Sequence, residues 1–175
     1  MILIADSGST KTDWCGLKQD VCLRLQTGGI NPVLQKPEDI VRQLYKELLP
    51  QLPVEPIEAI HFYGAGCTPL WSKVLRTCLM KVFGEQIHCE VHSDMVGAAR
   101  ALCGQQAGIV CILGTGSNSC YYDGQQVTRH TPALGYVLGD EGSGAYLGRQ
   151  LLNGVLKELL PPHICITFAN ETQVT

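Results

Sequence analysis

The residues best suited to chemistry stand near the start of the chain, where the apolar run MILIA ends on Asp6 and leads into SGSTKTD. Gly8 lets the backbone approach an oxyanion closely. Backbone N–H groups and the hydroxyls of Ser9 and Thr10 can donate hydrogen bonds to that anion, and Lys11 adds a positive charge. Asp6, at the end of a strand, is placed to hold Mg²⁺ through water. The segment is therefore predicted to bind phosphates and a metal, although it is not a Walker A loop, since Thr10 and not glycine precedes the lysine.

A second turn of similar composition follows a second apolar run. The segments ILIADSGSTKT and GIVCILGTGSNS share this pattern, which we interpret as the duplication of one supersecondary unit. Either turn alone could be an ordinary loop. Their matching positions in two three-stranded units favour a clamp that holds nucleotide phosphates from two sides. In the second unit this clamp comprises Gly114, Thr115, Gly116 and Ser117.

Composition excludes several classes of protein. The chain has 175 residues, of which 45% are hydrophobic and 17% charged, and this is typical of a globular protein and not of a disordered one. The net charge is -3 and the 13 Lys and Arg residues are scattered, which argues against binding to nucleic acid or to an anionic membrane. No apolar run approaches the roughly 20 residues of a membrane helix, and the N-terminus lacks the basic and cleavage regions of a signal peptide. We expect a cytoplasmic protein.

The nine cysteines form no C-x-x-C pair, so the spacing typical of zinc and iron–sulfur sites is absent. Most of them lie in apolar runs such as GIVCIL, and they are predicted to be reduced and to pack as small core residues. The five histidines are expected to be packing or solvent-facing residues rather than metal ligands.

The order of elements predicts an α/β fold. Up to Gly104 the patterns of apolar residues follow the order β-β-β-α-β-α-β-α, which implies a largely parallel sheet covered on both faces. Three further strands then follow, with a hairpin at YYDGQQV, and after them come a glycine-rich loop and a helix around 145–160 that Pro161 and Pro162 should end. The remaining residues are too few to complete a second unit.

Four motifs in order resemble the BadF/BadG/BcrA/BcrD ATPase family, within the superfamily of actin, Hsp70 and sugar kinases. ADSGSTKTDW and GTGSNS resemble the two phosphate loops of that family, with Ser7 in place of its usual glycine. HSDMVGAARAL resembles its connecting helix, and LGYVLGDEGSGAYLGRQLL resembles the sugar-side loop of its N-acetylglucosamine kinases. The likeness covers residues 1–160 and implies a ribonuclease H-like, actin-like ATPase domain at 1–104, followed by an incomplete second copy at 105–175.

The resemblance also implies a role for each matched residue. Asp6 would order Mg²⁺, and Asp94 would accept the proton of a sugar hydroxyl. Asn31, in GGINP, and Asp140, in GDEGS, would bind sugar hydroxyls. From the residues alone, Asp94 could equally be a helix N-cap and Asp140 an acid at a helix start. The phosphates of ATP would be held by the two loops, which comprise Gly8, Ser9, Thr10, Lys11, Gly114, Thr115, Gly116 and Ser117.

The function expected from this resemblance is ATP-dependent phosphorylation of a small sugar, with an N-acetylhexosamine as first choice and ATP and Mg²⁺ as ligands. One alternative is an ATPase that activates a 2-hydroxyacyl-CoA dehydratase through a bridging iron–sulfur cluster, but the second loop of those proteins reads GGQD where this chain has GTGS. Another is an inactive fragment or association domain, because nothing after residue 160 resembles the family's adenosine-binding motif. An unfilled apolar face on the helix at 145–160 would then favour a homodimer.

Overall fold

The computed structural model describes residues 1–19 and 21–172. Its first part is a five-stranded sheet in the order β3-β2-β1-β4-β5. The sheet is mixed and not largely parallel, because β2 pairs antiparallel with both β1 and β3, whereas β4 pairs parallel with β1 and β5. The strands are β1 (Ile2–Ser7), β2 (Lys11–Lys18), β3 (Val21–Gly28), β4 (Ala59–Gly64) and β5 (His88–Ser93).

One face of this sheet forms the main core. Alternate residues of the central strands, among them Leu3 on β1 and Phe62 on β4, are fully buried. They pack against two helical segments, whose buried residues include Ile40 and Leu75. These segments are α1 (Pro37–Gln43), which continues as helical turns through Gln51, and α2 (Pro69–Phe83).

The opposite face is only partly covered, contrary to the expectation of a sheet buried on both sides. Helix α3 (Asp94–Cys103) lies over one end of it. Gly97 lets the helix approach closely, because a Cβ atom there would lie 2.9 Å from the side chain of Tyr63. The rest of this face carries half-exposed polar residues of β4 and β5.

A second, antiparallel sheet comprises the three strands predicted from the sequence: β6 (Gly108–Leu113), β7 (Ser117–Tyr122) and β8 (Val127–His130). The predicted hairpin is confirmed, and the carboxylate of Asp123 accepts bonds from the N–H groups of Gln125 and Gln126, each 2.8 Å long. A small core joins this sheet to α3 through Met95 and Val110. The division into domains at residue 104 stays a prediction.

Three helices follow: α4 (Gly135–Leu138), α5 (Gly144–Leu156) and α6 (Pro162–Thr172). The prediction that α5 continues to Pro161 is wrong. The helix ends at Leu156 because Glu158 adopts a left-handed conformation, with φ of 54°, and the N–H of Leu159 bonds back to Gly154. Several leucines of α5 are exposed, including Leu147 and Leu156.

Two further observations bear on the expectations from composition. Within the described ranges, no helix is long and apolar enough to span a membrane. The expectation that cysteines lie in the core holds for four of the nine, Cys67, Cys78, Cys89 and Cys120. It is wrong for Cys22 and Cys111, which are exposed because their strands turn these positions toward solvent.

Candidate functional site

The two glycine-rich turns meet at one cavity. This open cleft of about 1080 Å³ lies between the two sheets. The structure thereby brings together every site residue predicted from the sequence except Asn31. The residues from that prediction that line the cleft are Asp6, Gly8, Ser9, Thr10, Lys11, Asp94, Gly114, Thr115, Gly116, Ser117 and Asp140.

The first turn is held closed by backbone contacts. The N–H of Gly8 donates to the carbonyl of Lys11 at 2.9 Å, and the N–H of Gly29 donates to the carbonyl of Thr10 at 3.1 Å. Gly29 lies so close that a Cβ atom there would stand 2.6 Å from backbone atoms of Gly8 and Ser9. The shape of the turn thus depends on a glycine from a different loop.

Ser7, which stands where the resembling family has glycine, points into the protein. Its hydroxyl lies 2.7 Å from that of Thr12, donates to the carbonyl of Ile30 and accepts from the N–H of Ile30, both at 3.0 Å. Since Ser7 is buried and these bonds satisfy it, the hydroxyl fastens β1 to the loop that carries Gly29 and Ile30.

Lys11 lies at the cleft beside an acid that sequence reasoning missed. Its ammonium is 2.7 Å from the carboxylate of Asp13, and this carboxylate also accepts a 2.7 Å bond from Gln26. The alternation of a strand puts Lys11 and Asp13 on one side of β2, which was the available signal. Asp13 is therefore the resting partner of the lysine at the cleft, in a half-exposed ion pair that contributes little free energy.

Asp6 stands among like charges. Burial raises its pKa, the neighbouring carboxylates of Asp13 and Asp94 raise it further, and Lys11 partly opposes them. A site with excess negative charge and oxygen ligands suits Mg²⁺. Within residues 1–19 and 21–172, no group of three or more Asp, Glu, His or Cys side chains could hold a metal alone. The oxygen ligands present therefore fit a Mg²⁺ that would keep most of its waters.

The second turn is positioned by α5 and by Asp140. The carbonyl of Gly114 accepts from the N–H of Gly144, the first residue of α5, at 2.8 Å. The carboxylate of Asp140 accepts from the N–H of Ser117 at 3.1 Å, and Gly116 leaves the room for it, since a Cβ atom there would lie 2.9 Å from that carboxylate. Asp140 thus has a structural task in addition to its place at the cleft.

Asp94 begins α3 at the floor of the cleft. Its Oδ1 accepts a 2.9 Å bond from the N–H of Met95, which fixes the carboxylate at the positive end of the helix. The N-cap is Ser93, although its side chain makes no capping bond. Asp94 is thus the first residue of the helix and not its N-cap, and it lines the cleft.

Three further lining residues were not anticipated. The guanidinium of Arg100, two turns into α3, donates a 2.9 Å bond to the hydroxyl of Tyr63 on β4. Asn118, directly after the second turn, has a buried Oδ1 that finds no hydrogen-bond partner within the described residues. An acceptor without a partner at the cleft is consistent with a ligand that would donate a hydrogen bond to it. Asn118 belongs to the quoted segment GTGSNS, which was the available signal for it. No sequence signal marked Tyr63 and Arg100, since their contact depends on the packing of α3 against the first sheet.

Asn31 lies outside the lining of the cleft. Its Oδ1 accepts from the N–H of Val33 at 3.0 Å, and its own N–H donates to Gln35 at 2.8 Å. Its side chain also lies against Gly66, where a Cβ atom would be 2.3 Å away. The role expected for Asn31 in sugar binding stays a prediction.

The histidines of the open sheet face surround an acid. The imidazoles of His61, His88 and His92 lie 3.3, 3.2 and 3.4 Å from the carboxylate of Glu90. Burial raises the pKa of Glu90, but its bonds to His92 and His88 and its interactions with His61 outweigh burial, so the pKa is lowered. His61 and His92 are half-buried, whereas His88 is exposed.

Comparison with known proteins supports the resemblance seen in the motifs. No family model matches the chain. Over 85 residues it is 32% identical to the N-acetyl-D-glucosamine kinase of Dictyostelium discoideum, a match that covers 48% of this chain and 27% of that protein. It superimposes with a TM-score of 0.94 and 49% identity on a protein from Porphyromonas gingivalis provisionally assigned as an N-acetylglucosamine kinase, covering 100% of this chain and 63% of that one.

Two more distant structures share the fold. One, from Chromobacterium violaceum and also provisionally assigned as an N-acetylglucosamine kinase, gives a TM-score of 0.69 at 22% identity, covering 97% of this chain and 62% of that one. The other is the ROK hexokinase of Thermus thermophilus, with a TM-score of 0.55 at 16% identity, covering 93% of this chain and 70% of that one. The chain thus spans about a quarter of the curated relative and about three-fifths of the two assigned kinases. These matches confirm that the chain has the actin-like ATPase fold and resembles, over its whole length, the N-acetylglucosamine kinase-like branch of that superfamily.

Proposed function

We propose that the chain provides the phosphate-binding and acceptor-activating part of an ATP-dependent kinase for a small sugar. The observation that carries this proposal is the convergence of both glycine-rich turns, Asp6 and Asp94 on one cleft. Phosphoryl transfer needs chiefly positioning and neutralisation of charge, and a cleft with two sets of backbone donors and a lysine supplies both.

The two turns would share the triphosphate. The first would bind the β- and γ-phosphates through backbone N–H groups, the hydroxyls of Ser9 and Thr10, and Lys11. The second would bind phosphate from the opposite side through Thr115 and Ser117. Lys11 would then exchange its contact with Asp13, which is half-exposed and so weakly held, for a contact with phosphate.

Asp6 would hold Mg²⁺ through water at the end of β1. The metal would neutralise phosphate charge when bound. Because Asp13 and Asp94 raise the pKa of Asp6, a cation beside it would relieve repulsion that Lys11 offsets only in part. The proposed cofactors are therefore ATP and Mg²⁺.

Asp94 would act as the general base. Its carboxylate is oriented by Met95 and faces the same cleft as Lys11 and Thr115, so an acceptor hydroxyl could lie between it and the transferred phosphate. The proton of that hydroxyl would pass to Asp94 as the new O–P bond forms. A positioned base contributes roughly 10²–10⁴-fold to rate.

The acceptor is proposed to be an N-acetylhexosamine. The support is the match to proteins named or assigned as N-acetylglucosamine kinases. Asp140 lines the cleft and keeps a carboxylate oxygen for a sugar hydroxyl, and Asn31 stays a proposed contact from outside the lining. We also propose that the protein is cytoplasmic and binds neither nucleic acid nor membranes. The exposed face of α5 would form the interface of a homodimer.

The dehydratase-activating alternative has less support. It needs two cysteines per subunit around an iron–sulfur cluster. Of the three cysteines considered for that role, Cys67 and Cys120 are buried and Cys111 alone is exposed. An anaerobic absorbance spectrum without a broad band near 400 nm would discount it. The association-domain alternative predicts no nucleotide binding at all, so a binding measurement separates it from the kinase.

The first experiment measures binding of Mg²⁺·AMPPNP by calorimetry. We expect Lys11→Ala to weaken binding by about tenfold, as loss of a charged contact of about 1.5 kcal/mol implies, whereas Lys73→Ala, an exposed lysine on α2, leaves it unchanged. No binding by the unaltered chain would refute the clamp.

The second experiment is a coupled kinase assay with N-acetylglucosamine and ATP. We expect turnover by the unaltered chain and a loss of about 10²-fold or more in Asp94→Asn, with nucleotide binding retained. Equal turnover by the two proteins would show that Asp94 is not the base. If the chain bound nucleotide but phosphorylated no hexosamine, it would be a nucleotide-binding module and not a sugar kinase.

A further inference from the structure

Two cysteines face each other across the outer hairpin of the first sheet. Cys15 lies on β2 and Cys22 on β3, and their Sγ atoms are 2.8 Å apart. That separation is well inside the about 3.5–4.0 Å at which even two carbon atoms pack without bonding. The sulfurs would need to approach by less than about 1 Å to reach the length of a disulfide.

The register of the hairpin explains this approach. Cys15 pairs with Arg24, and Cys22 pairs with Leu17, so the two cysteines are diagonal neighbours on one face of the sheet. Directly opposite residues allow the relaxed disulfide geometry, whereas diagonal residues are farther apart at Cβ. A bond between these sulfurs would therefore pull the strands out of their relaxed positions, and strained bonds of this kind are readily reduced.

The pair of Cys15 and Cys22 is also more accessible to solvent than the buried cysteines of the core. Cys22 is exposed and Cys15 is half-buried. In contrast, burial raises the pKa of Cys67 to about 12 and that of Cys89 to about 11, which keeps these thiols protonated and inert. The hydrogen bond with Cys22 also raises the pKa of Cys15, ahead of burial and against the charge of Arg24. Cys22 is the more exposed of the two thiols and is therefore the partner that a peroxide reaches first.

We propose that Cys15 and Cys22 form a reversible redox pair, a modification site that a hydroperoxide oxidises to a disulfide. Cys22, as its thiolate, attacks the peroxide oxygen, the O–O bond breaks, and the alcohol or water leaves with a proton, giving a sulfenic acid on Cys22. Cys15 then attacks that sulfur and displaces the hydroxyl as water. The two thiols thereby lose two electrons and two protons, the hydroperoxide becomes an alcohol and water, and a small-molecule thiol restores the pair by exchange. This proposal does not depend on the kinase function.

The sequence makes the bond easy to detect. Trypsin cuts after Lys11, Lys18 and Arg24, so the two cysteines fall in separate peptides, 12–18 and 19–24. The protein is treated with a slight excess of hydrogen peroxide, its remaining thiols are alkylated, and the digest is analysed by mass spectrometry with and without dithiothreitol. We expect a linked species of peptides 12–18 and 19–24 that dithiothreitol removes.

Two variants control the measurement. Cys111→Ser removes an exposed cysteine on the second sheet and should leave the linked peptides unchanged, whereas Cys22→Ser should abolish them and leave Cys15 to be alkylated. Circular dichroism of each variant confirms that it folds.

Three outcomes would overturn the proposal. In the first, Cys22 is recovered as sulfinic acid while Cys15 stays free. In the second, the cross-link joins two chains instead of two peptides of one chain. In the third, Cys22 is oxidised no faster than Cys111, with no linked species.

Discussion

Gly29 offers a sharp test of how the first turn is held, because the change can be made without touching any residue of the turn. In Gly29→Ala the new Cβ atom would stand 2.6 Å from backbone atoms of Gly8 and Ser9, whereas ordinary contact begins at 3.4 Å. The turn must therefore retreat by about 0.8 Å, the difference between these distances. Overpacking of this kind costs about 1–3 kcal/mol of folding free energy. A displacement of the turn by nearly 1 Å would also misalign its hydrogen bonds to a bound phosphate.

Two assays follow the change. Urea unfolding should show the loss of about 1–3 kcal/mol, and calorimetry should show weaker binding of Mg²⁺·AMPPNP by about tenfold or more. Gly148→Ala is the matched control, because a Cβ atom there meets nothing within 4 Å. Within α5 that alanine should add about 0.5–1 kcal/mol. If Gly29→Ala unfolds at the same urea concentration as the unaltered protein, the turn does not depend on this contact, and the reasoning fails.

Three further outcomes are expected. Asp13→Asn should lower the pKa of Asp6, measured by carbon NMR of the carboxyl group, because Asp13 is one of the charges that raise it; an unchanged pKa would show that the charge of Asp13 does not act on Asp6. Since the pKa of Glu90 is lowered in the folded protein, its contribution to stability is complete above its unfolded pKa of about 4.3 and is lost as the pH falls through the lower folded value. The deficit of Glu90→Gln in urea unfolding should therefore shrink below that pH, unlike any effect of the exposed control Glu85→Gln, and a constant deficit would contradict this. Glu158→Gly should raise the unfolding free energy by about 1 kcal/mol, because φ of 54° suits glycine; a loss of stability would mean that the glutamate side chain matters more than its backbone.

Short apolar runs bounded by turns predicted all eight strands. Some runs, such as MILIA, are continuous and typical of buried strands, and others alternate weakly, with the period of two that follows from the pleat. The two turns were also predictable, since each stands after a buried strand and has a composition that suits phosphate. The prediction that the two turns lie at one cleft followed from the interpretation of the two segments as copies of one supersecondary unit. These features depend on local sequence, or on the repetition of it.

Contacts between elements were not predictable to the same degree. The pairing of Cys15 with Cys22 depends on the register of one hairpin, and a shift by one residue would place them on opposite faces. The bond between Arg100 and Tyr63 depends on how closely α3 lies on the sheet, which Gly97 decides. The prolines predict a helix end at about residue 160, but α5 ends at Leu156, and Glu158, a non-glycine residue in the left-handed region, follows two residues later.

The buried hydroxyl of Ser7 has a mechanical consequence. Through one side chain it joins the base of the first turn to Thr12 and to both polar backbone groups of Ile30. The hydrogen bonds of Ser7 therefore couple the turn to the segment that ends at Asn31. A shift of about an ångström in either would break these bonds unless the other moved with it. A displacement of the turn by a bound anion would thus be transmitted to Asn31 and to Gly66, which follows β4 at the same end of the first sheet.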